Sequence, residues 1–292
     1  MHPDPLVLIH GWGMNPAVWS ALPDNLAAGR ERVPLALPGH AGAASAWAPK
    51  STTLPDWADA CLAQAPEQAI WLGWSLGGLV ALQAARQAPK RVRALILIGC
   101  TPRFTQAVDW QVAMAQETFD QFHSALLEDQ KATQQRFLTL QARGSDQAPQ
   151  LLKQLRQTLK TAPAADPEAL RVGLELLRDE DLRGPLPDIR QPTLWLFGER
   201  DTLVPAKVDE RIAILHPHAR VERVPGASHA PFLSHSQAVS ELINDFLAQV
   251  DSGIDSGSGS GINSGLDTGI NPEMNPAIDS WIAPTINLGS DH

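Results

Sequence analysis

The chain has 292 residues and a formal net charge of −9, with 32 Asp and Glu against 23 Lys and Arg, a balance that argues against general nucleic-acid binding. Its two cysteines, Cys61 and Cys100, are too few for a disulfide framework and fit a reducing compartment. No basic region followed by an apolar stretch opens the chain, and no apolar run reaches the ~18 residues that cross a bilayer, so a soluble, cytoplasmic monomer with no membrane partner is expected.

Leu6-Val7-Leu8-Ile9 is continuously apolar, the mark of a strand buried on both faces of a parallel sheet, and it runs into His10-Gly11-Trp12-Gly13. Pro16 opens a helix through about Ala28, proline being suited to a first helical turn. Val33 to Leu37 reads as a second strand, placed at an edge or a strand start by Pro34, and Pro38-Gly39-His40 closes it. Residues 41–53 read as a loop and Leu54 to Gln64 as a helix. A buried strand then ends in Gly73-Trp74-Ser75-Leu76-Gly77, and a helix rich in Ala and Leu follows from Leu79 to Arg86. Val92 to Ile98 is another buried strand.

From Phe104 to Asp181 no strand is expected, only helical runs: Met114 to Leu127, Ala132 to Gln141, Gln150 to Lys160 and Pro167 to Arg178. This insertion is too long for a plain connection. The alternation resumes with a strand from Thr193 to Gly198, a helix over 205–215, a strand from Arg220 to Val224 and a closing helix from Gln237 to Val250. Strands alternating with helices predict an α/β fold, a mostly parallel sheet flanked by helices. The predicted division is a core of 1–103 and 182–250, an all-helical cap of 104–181, and a tail of 251–292. That tail holds six acidic residues and no Lys or Arg. It has too little apolar surface to offset its chain entropy, so a disordered, low-complexity acidic segment is expected.

Gly73-Trp74-Ser75-Leu76-Gly77 fits G-x-S-x-G, and a strand, a sharp turn and a helix are the context which that pattern requires. A serine hydroxyl is a weak nucleophile that needs a base, a group orienting the base, and donors for the oxyanion. Each has a candidate just past a predicted strand, where open parallel sheets place their sites. The base near neutral pH is a histidine. His229, between the last strand and the last helix, is the first candidate, with His235 second. His10 reads as a residue that holds a loop, and His216 and His218 as exposed at a helix end. The orienting acid is Asp201 in Gly198-Glu199-Arg200-Asp201, with Glu199 as competitor. Backbone N–H groups of Trp12 and Leu76 are the expected oxyanion donors. No metal or cofactor is implied.

The His-Gly-Trp-Gly turn, Gly-Trp-Ser-Leu-Gly-Gly, Gly-Glu-Arg-Asp-Thr-Leu-Val-Pro and Ser-His-Ala-Pro-Phe, in this order over residues 6–250, resemble the α/β-hydrolase superfamily. The longer stretches Leu8 to Asn15, Ile70 to Val80, Arg136 to Gln141 and Ser228 to His235 resemble, within it, the pimeloyl-acyl-carrier-protein methyl ester esterases of biotin synthesis. The resemblance implies a serine carboxylesterase whose substrate lies between core and cap. Trp12, Ser75, Leu76, Phe137, Leu138, Thr139, Leu140, Gln141 and His229 would line its channel. It also implies an acyl-carrier protein as partner. Between Lys131 and Lys160 there are six basic residues and one acid, and Arg136, Arg143, Arg156 and Lys160 are the candidates for docking that acidic carrier. Two features depart from the family: the usual N-terminal strand pair is largely missing, and the acidic tail could compete with the carrier for the basic cap. The rival readings are a short-chain carboxylesterase, a thioesterase or a carbon–carbon bond hydrolase on the same scaffold, and a non-catalytic ligand-binding relative.

Overall fold

Six strands, β1 (Leu6–Ile9), β2 (Arg32–Leu35), β3 (Ala69–Trp74), β4 (Val92–Ile98), β5 (Thr193–Gly198) and β6 (Arg220–Val224), form one sheet in the order β2-β1-β3-β4-β5-β6 in the computed structural model, which describes residues 3–42 and 52–253. Every neighbouring pair is parallel. Alternate strand residues feed two separate cores, as the strand period of two requires. Val7, Ile9, Trp71, Leu95, Leu97, Trp195 and Phe197 pack on one face with the helices α1 (Leu54–Gln64), α2 (Leu76–Gln87) and α7 (Val208–Leu215). Leu6, Leu8, Ile70, Leu72, Trp74, Ile96, Ile98, Leu194 and Leu196 pack on the other with α9 (Ser236–Ser252). Burial on both faces is why β1, β3 and β5 read as unbroken apolar runs.

Four helices, α3 (Gln116–Glu128), α4 (Gln130–Ala142), α5 (Ala148–Leu159) and α6 (Pro167–Asp179), fill the long interval between β4 and β5. Their caps are written in the sequence. Asp129 accepts from Ala132 N, and Asp166 accepts from Glu168 N and Ala169 N, which satisfies donors that a helix start leaves unpaired. α1 begins with a capping box between Thr53 and Asp56.

Several elements differ from the sequence reading. The helix expected from Pro16 to about Ala28 is a single 3₁₀ stretch, Pro16–Ala21. Leu22 is extended at ψ 136°, because a residue before proline is pushed out of the helical region. β2 is two residues shorter at its end than expected and lies at the sheet edge, where Pro34 removes no interior ladder bond. The helix expected over 205–215 begins only at Val208. A short helix, α8 (Pro231–Ser234), precedes α9. α9 runs past the expected start of the tail and closes on Gly253 at φ +68°, and Arg30 pairs with Asp251 in its last turn. Residues 254–292, with the proposed competition between tail and carrier, lie outside the described residues, as do residues 43–51 of the loop after β2. Among the described residues no helix is long and apolar enough to cross a membrane.

Candidate active site

Ser75 joins β3 to α2 with φ +55° and ψ −119°, a region that non-glycine residues rarely occupy and that stores strain. The glycines beside it permit the crossing. A Cβ on Gly73 would lie 2.3 Å from Gly77 O, and one on Gly77 would lie 2.3 Å from Ile9 O. The turn after β1 comes equally close, since a Cβ on Gly11 would be 3.3 Å from Ser75 Cβ. The Trp12 N–H belongs to that turn, and the Leu76 N–H follows the serine directly at the start of α2. Neither has a backbone acceptor among the described residues.

His229 Nδ1 donates to Asp201 Oδ2 at 2.8 Å, with both side chains buried. The other carboxylate oxygen, Oδ1, accepts from Leu203 N at 2.8 Å and Val204 N at 3.0 Å. A carboxylate held by two backbone donors is an acceptor only, so it fixes the proton on Nδ1 and leaves Nε2 as the basic nitrogen. Nε2 is buried and has no hydrogen-bond partner; the structure therefore draws no bond between it and Ser75 Oγ. The link between the two segments runs through the indole of Trp74 instead. Trp74 Nε1 donates to His229 O at 2.8 Å, and a Cβ on Gly99, after β4, would lie 3.1 Å from His229 Nδ1. Such hydrogen bonds are often long before substrate binds. Ser75 is 2 % exposed, Trp12 1 % and His229 0 %, so the centre is closed to bulk water.

The competing candidates are occupied elsewhere. Glu199 Oε2 accepts from Gly226 N at 2.8 Å, and His235 Nδ1 pairs with Ser234 Oγ at 2.8 Å. His10 donates from Nδ1 to Gly11 O at 2.9 Å and accepts at Nε2 from Leu37 N at 3.1 Å, so it ties β1's end to the segment after β2. Burial, then the neighbouring His40, push its pKa down to about 3. His216 corrects the reading of an exposed helix-end residue. It is buried, contacts Ile189 O at 3.1 Å and accepts from Trp195 Nε1.

The segment from Phe137 to Gln141 does not face one way. Phe137 packs edge-on against Trp12 at 4.8 Å and against Phe122 at 5.8 Å. Gln141, one turn further along the same face of α4, is fully buried with neither carboxamide atom hydrogen-bonded. Leu138 belongs to the other core, with Met14, Trp19 and Phe232. Thr139 and Leu140 line a separate groove of about 190 Å³ with Phe122, Ala125, Thr133, Gln135, Arg136 and Arg156. Of the basic candidates, Arg136 and Arg156 are exposed at that groove, Lys160 is exposed at the end of α5, and Arg143 is half-buried at the end of α4.

Four contacts were not foreseen: Trp74 to His229, Trp12 Nε1 to Leu170 O at 2.8 Å, Ser228 Oγ to Gln141 O at 2.8 Å, and the approach of α6 at Gly173. A Cβ on Gly173 would lie 3.0 Å from Trp12 Cδ1 and 3.1 Å from Leu76 Cδ2. A glycine inside an amphipathic helix was the available signal for the last.

Residues 4–236 match the family model described as the alpha/beta hydrolase fold. The chain belongs to the α/β-hydrolase family. Among relatives of this α/β hydrolase, the pimeloyl-[acyl-carrier protein] methyl ester esterase of Xanthomonas oryzae pv. oryzae is 43% identical over 249 residues, 85% of this chain and 97% of the relative. The protein of the same name from Aromatoleum aromaticum is 43% identical over 246 residues, 82% of this chain and 96% of that one. Of solved structures, an esterase from Exiguobacterium antarcticum superposes with a TM-score of 0.74 at 22% identity, covering 85% of this chain and 93% of its own, which is a likeness of fold.

Proposed function

We propose that this α/β hydrolase is a serine carboxylesterase that hydrolyses the methyl ester of a pimeloyl chain held on an acyl-carrier protein. The observation that carries the chemistry is the buried Asp201–His229 pair, with Nε2 unpartnered, beside a serine on a strained turn. The substrate comes from relatives 41–43% identical over most of the chain, which bear that name.

In this reading Nε2 of His229 takes the Ser75 proton as Oγ attacks the ester carbonyl. The N–H groups of Trp12 and Leu76 receive the oxyanion, a role in which one donor is worth about 3 kcal/mol. The intermediate collapses to an acyl-enzyme, and methoxide leaves as methanol with the proton from His229. Water, deprotonated by His229, then attacks the acyl carbonyl, and Ser75 leaves with that proton. The product is a free carboxylate at the far end of the carried chain.

The row Trp12, Phe137, Phe122 connects the closed centre to the groove where Arg136 and Arg156 stand. We take the groove as the mouth through which the apolar chain enters the cap of 104–181, and these arginines, with Arg143 and Lys160, as contacts for the acidic carrier. The Gln141 carboxamide has lost water and gained no partner, which costs about 1–3 kcal/mol when left so. A polar ester end in the channel would satisfy it.

The test is mass spectrometry of carrier-bound pimeloyl methyl ester after incubation with the enzyme. Loss of the methyl group with the carrier thioester intact is the expected result. Faster cleavage of the thioester would replace this assignment with a thioesterase.

A further inference from the structure

The turn between α4 and α5 reaches both loops that carry the buried pair. Ser228, next to His229, donates from Oγ to Gln141 O at 2.8 Å, and both residues are buried. Asp146 N donates to Gly226 O at 3.2 Å, and the Asp146 carboxylate pairs with Arg200, next to Asp201. Arg200 N donates in turn to Ala227 O at 2.8 Å, and Glu199 Oε2 accepts from Gly226 N at 2.8 Å. Both glycines face close neighbours, Gly144 the backbone of Arg200 and Gly226 the side chain of Asp146. A Cβ on Gly144 would lie 2.7 Å from Arg200 O, and one on Gly226 would lie 2.3 Å from Asp146 Oδ2. Residues 141–146 of the helical insertion are thus fastened to 199–200 and 226–228 at once.

We propose that this turn is a positioning latch, which sets the register between Asp201 and His229 and so the reach of Nε2 toward Ser75. Ser228, Asp146 and Arg200 are positioning residues, and the proposal rests on the serine-esterase reading. The bonds differ in weight. Asp146 and Arg200 are each about half exposed, and pairs in that setting contribute little. The Ser228 bond is buried, so its loss leaves Gln141 O without a partner. The main share therefore falls to Ser228.

The experiment uses the full chain with Ser228→Ala, Ser228→Thr and Asp146→Ala, and a short p-nitrophenyl ester as substrate. It reads kcat and KM per folded molecule, the thermal midpoint, and the low-field NMR signal of the His229 Nδ1 proton. For Ser228→Ala, kcat is expected to fall about tenfold with KM held within about twofold, since small misplacements of a reacting group act on the chemical step. Its low-field proton should shift or broaden. Ser228→Thr, which keeps the hydroxyl, should stay within about threefold of the parent, and Asp146→Ala, at an exposed site safe for folding, should lose about two- to threefold in kcat. An unchanged kcat and proton signal in Ser228→Ala and Asp146→Ala would overturn the latch. Equal losses in Ser228→Ala and Ser228→Thr would assign the effect to packing and overturn it as well. Should the parent enzyme cleave neither this ester nor the carrier-bound methyl ester, the esterase reading falls, and the proton signal by itself still decides the latch.

Discussion

Trp74 Nε1 donates to the backbone carbonyl of His229 at 2.8 Å, so the residue before the serine holds the residue that bears the basic nitrogen. The two lie 155 positions apart. The indole also packs edge-on against Phe232 at 5.2 Å, which anchors α8, the helix that follows the loop after β6, on the same ring.

Trp74→Phe keeps most of that packing and removes the donor. The buried His229 carbonyl then lacks its partner, a loss of about 1–3 kcal/mol. We expect a stability loss in that range by urea denaturation and a fall in kcat of about tenfold toward a p-nitrophenyl ester. Unaltered kcat would show that the loop is set without the indole.

The turn at Ser75 is strained. A non-glycine residue at φ +55° carries about 1–3 kcal/mol of strain, against which glycine's extra chain entropy costs about 0.5–1 kcal/mol. Ser75→Gly should be inactive yet more stable by about 1 kcal/mol, read as a rise in the thermal midpoint. Ser75→Ala should be inactive with stability near the parent's. Turnover surviving in either variant would remove Ser75 as nucleophile.

α6 approaches Trp12 and Leu76 through Gly173, where a Cβ would come within 3.0 and 3.1 Å of their side chains. Gly173→Val should therefore displace α6 and cost about 1–3 kcal/mol by overpacking. Gly173→Ala gains about 1 kcal/mol of helix propensity, which offsets its smaller clash. It should leave stability nearly unchanged while raising KM several-fold in steady-state kinetics. Full activity in Gly173→Val would show that the helix can shift at no cost to the site.

Two buried imidazoles make stability depend on pH. Burial, then the nearby His40, hold His10 at about 3, down from its ordinary 6.5. Burial lowers His40 to about 4, against the raising effects of its bond to Pro38 O and of Asp166. Both are neutral in the folded protein where the unfolded chain takes up protons. Their contribution is complete above pH ~6.5 and is lost as pH falls toward about 4 for His40 and about 3 for His10. Denaturant midpoints measured from pH 7 to 4 should fall steadily, and His40→Gln should flatten that slope. An equally steep slope in the variant would place the effect on other groups.

Arg136 and Arg156, exposed beside the groove, should matter for the carrier and not for a free ester. Rim charges act through encounter and are screened by salt. Arg136→Glu with Arg156→Glu should raise KM for the carrier-bound substrate about tenfold at low salt, and less at high salt. KM for the p-nitrophenyl ester should stay the same. Parallel changes for both substrates would locate the effect in the channel.

Much of the sheet was legible because its rules are local. β1 and β3 are unbroken apolar runs and β5 nearly so, and β4 is one from Ala94 onward, since both faces of each are covered there. Pro34 pointed to an edge or a strand start, and β2 lies at the edge. Pro16 misled in the other direction. It begins a helical turn, as proline does, but Pro23 ends it within two turns by forcing Leu22 to extend. His216 was misjudged as exposed because nothing near it in sequence announces Trp195 and Ile189, its partners in space.

The sequence by itself determined which short segments become strands and helices, and that Ser75, Asp201 and His229 each follow a strand, because backbone geometry repeats every two or 3.6 residues and leaves its mark within a few positions. Only the tertiary structure decided that Asp201 meets His229 at 2.8 Å, that Gln141's carboxamide is walled in without a partner, and that the α4–α5 turn contacts both loops that carry this pair. Those pairings join residues 28 to 87 positions apart. They follow from how side-chain volumes and buried polar groups fit together once the sheet is formed, and no local period records that fit.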